Sequence, residues 1–181
     1  AEELRVRSLV EPYFNGFGMG DTVFVLSHDE ELLYELLTGG LQRLSAYMAI
    51  YTSEEFRGLR VIAPPAVSVG VALKSDLLEL TLSSKEMKPE ELAYLLTKYD
   101  RKKKYIRLKN GEFLELGDDG IGLLAELRET LHLTETKLKG GCVQIPKYRA
   151  MYLDAALKSS QKLSVEKNRE FKGIVRNMKT I

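Results

Sequence analysis

Lys98 to Leu116, KYDRKKKYIRLKNGEFLEL, is the stretch on which the reading of this chain turns. Asn110-Gly111 stands between two alternating runs. Both residues tolerate the positive φ that a type I′ turn needs, so the pair predicts an antiparallel hairpin. A two-residue turn sets Lys109 opposite Glu112, Leu108 opposite Phe113 and Arg107 opposite Leu114. Ile106, Leu108 and Phe113 then share the core face, and Tyr105, Arg107 and Lys109 share the other. The arm entering the turn carries Arg101, Lys102, Lys103, Lys104, Arg107 and Lys109. Cations with an aromatic among them suit contact with phosphates; a solvated face beside an acidic neighbour has the same composition.

Outward from this arm the charge is segregated. Residues 98–109 hold seven Lys/Arg against one Asp/Glu, residues 110–136 one against seven, and residues 137–181 eleven against three. The net charge of +1 makes no global case for nucleic acid, but local potential rather than the total steers partners. At 181 residues and 44% hydrophobic the chain can bury a core. A single cysteine, Cys142, excludes an internal disulfide framework and fits a reducing compartment, so a cytoplasmic location is expected. With two histidines beside it, a structural zinc site has too few ligands. No apolar run is long enough to span a membrane. The chain opens AEEL without an initiator Met or a leader and stops after a helix, which suggests a piece of a longer protein.

Taken in order, Leu4 to Tyr13 alternates and reads as a strand. GFGMGD (Gly16 to Asp21) leads into a second strand, Thr22 to Leu26, rather than into a helix, so it reads as a hairpin connection and not as a phosphate loop. Ser27 and Glu30 match a capping box for a helix from about Asp29 to Thr38, closed by Gly39-Gly40. Leu44 to Ser53 reads as a strand, Glu54 to Leu59 as a short turn or helix, and Arg60 to Ala63 as a short strand. Ala66 to Leu73 and Asp76 to Leu82 read as an antiparallel pair across Lys74-Ser75. Pro89 opens a helix to about Tyr99, with Leu92, Leu95, Leu96 and Tyr99 inward. Beyond the basic hairpin, Asp118 caps a helix to about Leu131, with Ile121, Leu124, Leu127 and Leu131 inward. Thr134 to Gly141 is a polar loop and a soft sub-boundary. Val143 to Ile145 is a strand, Pro146 opens a helix to about Lys158, and Ser164 caps a last helix, Val165 to Lys179. The mixture predicts an α+β fold, mostly antiparallel strands with flanking helices and a helical C-terminal end.

Catalytic chemistry is hard to place. No G-x-x-x-x-G-K-[ST] run is present. Asp29-Glu30, Glu54-Glu55 and Asp118-Asp119 each sit at a helix start, where carboxylates suit the dipole. Ser27-His28-Asp29 is no triad, since triad members converge from distant positions. His132 reads as a dipole partner at a helix C-terminus, and a Cys142–His132 pair has nothing to support it. No catalytic residue and no metal ligand is expected.

Four longer stretches carry a family resemblance: AIYTSEEFRGLRV (Ala49 to Val61), VSVGVALKSDLLELTL (Val67 to Leu82), PEELAYLLTKYDRKKKYIRLKNGEFLEL (Pro89 to Leu116) and IPKYRAMYLDAAL (Ile145 to Leu157). With FKGIVRNM (Phe171 to Met178), they resemble the helicase-associated domain of bacterial Swi/Snf-type ATPases, over about Val23 to Met178. The resemblance implies one accessory domain, residues 1–181, that lies before a DNA-stimulated motor. It also implies that ATP and Mg belong to that motor, that this chain is not itself an enzyme and carries no cofactor, and that the motor of the same polypeptide is its partner.

Two functions stay open beside a stand-alone enzyme. In one, the chain positions or regulates the motor, docking through its acidic segment and basic C-terminal helices. In the other it binds nucleic acid without sequence choice. The contacts would be Arg101, Lys102, Lys103, Lys104, Tyr105, Arg107 and Lys109 on the hairpin, with Lys147, Tyr148 and Arg149 as a second anchor. Cations on a preset surface give such affinity, and about five of them would give a log–log salt slope near −4 to −5. Tyr152, four residues beyond Tyr148, is expected in the core; Tyr148 fits either packing or stacking.

Overall fold

The computed structural model describes residues 2–17, 24–26, 29–117 and 120–180. In chain order the elements are α1 (Glu2–Val10), β1 (Phe14–Phe17), β2 (Phe24–Leu26), α2 (Glu30–Glu35), α3 (Leu41–Ser45), α4 (Glu54–Arg57), β3 (Val61–Ile62), β4 (Val67–Lys74), β5 (Leu77–Ser84) and α5 (Pro89–Lys98). There follow β6 (Tyr105–Arg107), β7 (Phe113–Glu115), α6 (Ile121–Thr130), α7 (Glu135–Leu138), β8 (Cys142–Pro146), α8 (Ala150–Lys158), β9 (Ser164–Lys167) and α9 (Arg169–Lys179). The fold is α+β, as expected. Two compact units divide it: Ala1–Ile62 with Arg107–Leu114, and Ala63–Ile106 with Glu115–Ile181.

The first unit departs most from expectation. Leu4 to Tyr13 is helical, in α1 and a 3-10 turn at Glu11–Tyr13, not a strand. Its apolar residues satisfy two periods at once. Val6, Leu9, Val10 and Tyr13 stand at i, i+3, i+4 and i+7, one helical stripe. That stripe packs with Leu36 and Leu44, whereas Leu4, the first apolar residue of the alternation, is 72% exposed. β1 and β2 pair antiparallel. Ser27, His28 and residues 18–21 of the glycine run lie outside the described residues. Asp29 caps α2, its Oδ1 accepting from the Glu31 N–H at 2.9 Å.

Gly39-Gly40 does not end that helix. The chain passes through a π turn, Leu36–Gly40, straight into α3. A Cβ on Gly40 would stand 2.9 Å from Cζ and Oη of Tyr13, so the glycine is there for close approach. Leu44 to Ser53 is no strand either: past α3 it is irregular, with Met48 and Ile50 packed on the core and Tyr51 93% exposed. Ser53 then caps α4, and β3 runs parallel to β7, Val61 against Phe113.

The hairpin forms, one residue out of the expected register. Leu108 N–H donates to Glu112 O at 2.8 Å and Gly111 N–H to Leu108 O at 3.0 Å. Gly111, at φ +89°, is the extra residue of a three-residue loop. Glu112 therefore faces Leu108, and Arg107 falls opposite Phe113. A one-residue slip exchanges faces, and Arg107 Cζ lies 4.3 Å from the centre of the Phe113 ring.

The second unit is built on a four-stranded sheet in the order β8-β5-β4-β9. β4 and β5 pair antiparallel as expected, Val67 against Ser84 through Lys74 against Leu77, and β8 continues the antiparallel set beside β5. Val67, Val69 and Val71, Leu78, Leu80 and Leu82, and Val143 and Ile145 fill one face. Ser68, Thr81, Ser83 and Gln144 lie on the exposed positions between them, the alternation of a half-solvated sheet. α5 lies against β5, α6 and α7, burying Leu92, Leu95 and Leu96. Asp118 lies outside the described residues, and Gly120 stands at the N-terminus of α6.

Two segments of this unit differ from expectation. Thr134 to Gly141 contains a helical turn, α7, capped by Thr134 and holding buried Leu138. Ser164 opens β9, a strand parallel to β4, instead of a helix. Asn168 caps α9: its Oδ1 accepts from Phe171 N–H at 2.9 Å and from Leu73 N–H at 3.1 Å. A strand fits there because Val165 reaches the free edge of β4, pairing with Val69.

Candidate nucleic-acid interface

The basic run begins where α5 ends. Asp100 Oδ1 accepts from Lys102 N–H at 2.9 Å and its carbonyl from Lys103 N–H at 3.0 Å, so this aspartate folds the turn that carries the lysines. Arg101 lies 2.6 Å from Glu126 on α6. Lys102, Lys103 and Lys104 stand exposed with no ion-pair partner among the described residues. Tyr105 is half-buried on β6, and Lys109 is exposed at the hairpin tip. Arg107, expected on an outward face, is half-buried against Phe113.

The second anchor leaves β8 through a 3-10 turn, Lys147–Arg149, that runs into α8. Lys147 Nζ is 3.0 Å from Asp76 Oδ1 at the β4–β5 turn. Arg149 sits over the ring of Tyr148 at 5.4 Å, and Tyr148 is 71% exposed. Tyr152, expected in the core, is at the surface, 37% exposed. Both positions follow from α8 burying Ala150, Leu153 and Leu157, which turns 148, 151 and 152 outward.

At least four of the eight cations among these ten residues are thus engaged: Arg101 and Lys147 by carboxylates, Arg107 and Arg149 by rings. Exposed pairs such as Arg101–Glu126 are worth under ~1 kcal/mol. Their pairing matters through sign: each sets a carboxylate directly beside the cation.

The densest charge cluster is one that sequence spacing does not reveal. Asp154 on α8 is 5% exposed and meets three lysines: Lys167 at 2.8 Å, Lys158 at 2.9 Å and Lys179 at 3.3 Å. Burial pushes its carboxyl up; the bonds from Lys167, Lys158 and Lys179 outweigh this and hold it well below the usual carboxylate range. The bond to Asp154 in turn raises Lys158. Only the Lys158 contact is an i,i+4 pair readable on a helix. Lys167 and Lys179 arrive from β9 and α9, so the cluster fastens three elements together.

Among the described residues no group of three His, Cys, Asp or Glu is placed to hold a metal ion. Cys142 is exposed on β8 opposite Thr81. His132 closes α6 at φ +53°, its N–H donating to Glu129 O at 3.1 Å. No helix of the described residues is long and apolar enough to cross a membrane.

Compared with known proteins, residues 1–181 match the family model described as bacterial SNF2 helicase associated. No curated protein and no solved structure matches the chain.

Proposed function

The chain belongs to the bacterial SNF2 helicase-associated family, and from that premise we propose that it is a non-catalytic accessory domain that positions or regulates a Swi/Snf-type motor. ATP and magnesium are handled by that motor, and this chain needs no cofactor of its own. The work is cytoplasmic. The observation that supports a docking role over a nucleic-acid role is the engagement of the cations. Arg101 and Lys147 are paired with carboxylates, and Arg107 and Arg149 lie against aromatic rings, so at least half of the cations picked out as phosphate contacts already have a partner within the chain. The test is the ATPase rate of a bacterial Swi/Snf-type motor, measured on DNA while this chain is titrated in. A saturable change of about five-fold or more is expected, the scale of ordinary coupling between sites. A rate indifferent to the chain at every DNA concentration would sink the regulatory reading.

A second reading, nonspecific DNA contact, is favoured by Lys102, Lys103 and Lys104, which stand exposed on one turn. Three phosphate contacts give weak, salt-sensitive binding. Fluorescence anisotropy with labelled single- and double-stranded DNA tests it, wild type beside the Lys102→Ala, Lys103→Ala, Lys104→Ala variant. Equal binding by the two proteins removes the hairpin arm from consideration.

A further inference from the structure

The second unit exposes four large apolar side chains among its described residues, Leu77, Tyr148, Met151 and Tyr152. They are gathered in one neighbourhood. Leu77 is paired with Pro146 across β5 and β8, and Tyr148 follows two residues on. Met151 and Tyr152 stand three and four residues beyond Tyr148, where helical side chains are neighbours. Single exposed apolar residues are ordinary; a group at one junction, with none elsewhere among the unit's described residues, marks an interaction face.

The unbalanced charge around this face is basic: Asp76 beside Leu77 is paired with Lys147 at 3.0 Å, and the three lysines on Asp154 outnumber it. Between residues 144 and 158 the charged side chains that reach solvent are Lys147, Arg149 and Lys158, while the one carboxylate, Asp154, is buried beneath three lysines. We propose that the β8–α8 face, with Leu77, Tyr148, Met151 and Tyr152 at its centre and Arg149 and Lys158 at its rim, docks an apolar protein surface bordered by carboxylates on the helicase motor. This rests on the accessory reading above and names its contact face.

Three observations choose that occupant. Tyr, Met and Arg are the side chains enriched at protein interfaces. Leu77 and Met151 offer no flat ring for a base to stack on. A second copy of the chain would bring the same basic rim against itself, because a two-fold interface joins identical patches.

The test measures binding of a separately produced bacterial Swi/Snf-type motor to this chain by anisotropy or calorimetry. Wild type is compared with Tyr148→Ala/Met151→Ala, with Arg149→Glu, and with the Lys102/Lys103/Lys104→Ala control. The substituted side chains are at the surface, and unchanged melting of each variant checks the fold. The face is supported if the double variant binds about tenfold or more weakly, the loss expected for interface anchors. Arg149→Glu should also weaken binding, and the lysine control should match wild type. Motor binding that the first two variants leave unchanged overturns this face and leaves the accessory reading standing. A motor that does not bind wild type at all overturns both. Loss of duplex DNA binding in the double variant reassigns the face to nucleic acid, and concentration-dependent sedimentation of the chain alone, abolished by that variant, reassigns it to a second copy.

Discussion

Asp154 is a carboxylate whose removal leaves one cation, Lys167, largely buried rather than merely unpaired. Lys167, its closest partner, is 13% exposed at the side chain, while Lys158 and Lys179 are about half exposed. Breaking a buried pair by removing one partner costs about 3–5 kcal/mol. Asp154→Asn is therefore expected to lower stability by about 3 kcal/mol, the low end because two of the lysines can turn to water. A urea unfolding midpoint measures it, and a change within error would mean the cluster is a surface ornament. The pH dependence has a definite sign. Because the folded carboxyl is depressed, its contribution is full above the unfolded carboxylate value near ~4 and is lost as the pH falls below it. Wild type should lose stability between neutral pH and pH 3 by more than Asp154→Asn does. Lys158, being raised, contributes in the opposite sense: its share is present below the ordinary lysine value and fades only in strong alkali.

At the scale of elements, a register and a cap carry the expectations. Gly111 supplies the positive φ that lets a third loop residue enter the hairpin. An alanine in the left-handed region costs about 1–2 kcal/mol, so Gly111→Ala should lower the melting midpoint by that equivalent. A neutral result would mean the hairpin slips back to the two-residue turn. That slip would carry Arg107 off Phe113. Asn168 does double duty, capping α9 and closing the end of β4 through Leu73, to whose carbonyl Nδ2 also donates at 3.3 Å. Asn168→Ala should cost about 1–2 kcal/mol, a lost cap together with backbone groups left without partners. Asn168→Asp, which keeps the acceptor, should recover most of it. Chemical denaturation of the two side by side decides.

For the whole molecule the question is how many cations are offered to a partner. Five engaged phosphates would give a salt slope near −4 to −5, but the lysines that stand exposed with no ion-pair partner among the described residues are three, Lys102, Lys103 and Lys104. The slope for any DNA binding is then expected near −3. Anisotropy titrations at several salt concentrations measure it, and a slope of −5 or steeper would show that the carboxylate pairs open on binding. The acidic run of residues 110–136 enters the same account, since Glu126 and Glu112 sit 2.6 Å and 3.7 Å from Arg101 and Arg60. Part of the segregation along the chain is thereby neutralised in space.

Much of this was legible in the residues alone. Period-2 runs separated by a tight turn specify β4 and β5, because one slip would expose the valine and leucine row, and stripes behind Pro89 and around Leu124 specify α5 and α6. The quoted runs also carried the family. What the sequence by itself could not decide were choices in which two local patterns agree. Leu4 to Tyr13 satisfies strand and helix periods together, and the core of Leu36 and Leu44 selects the helix. Gly40 has the composition of a helix stop, and only the Tyr13 ring lying against it reveals a close approach. Ser164 to Lys167 has the cap of a helix and becomes a strand because β4 presents a free edge. The state of each cation is likewise tertiary: Asp154 meets Lys167 and Lys179, and Arg101 meets Glu126, across separations at which sequence carries no distance. Local periodicity is written in neighbours, whereas the partner of a charge or the occupant of a glycine's missing side chain is supplied by residues far along the chain.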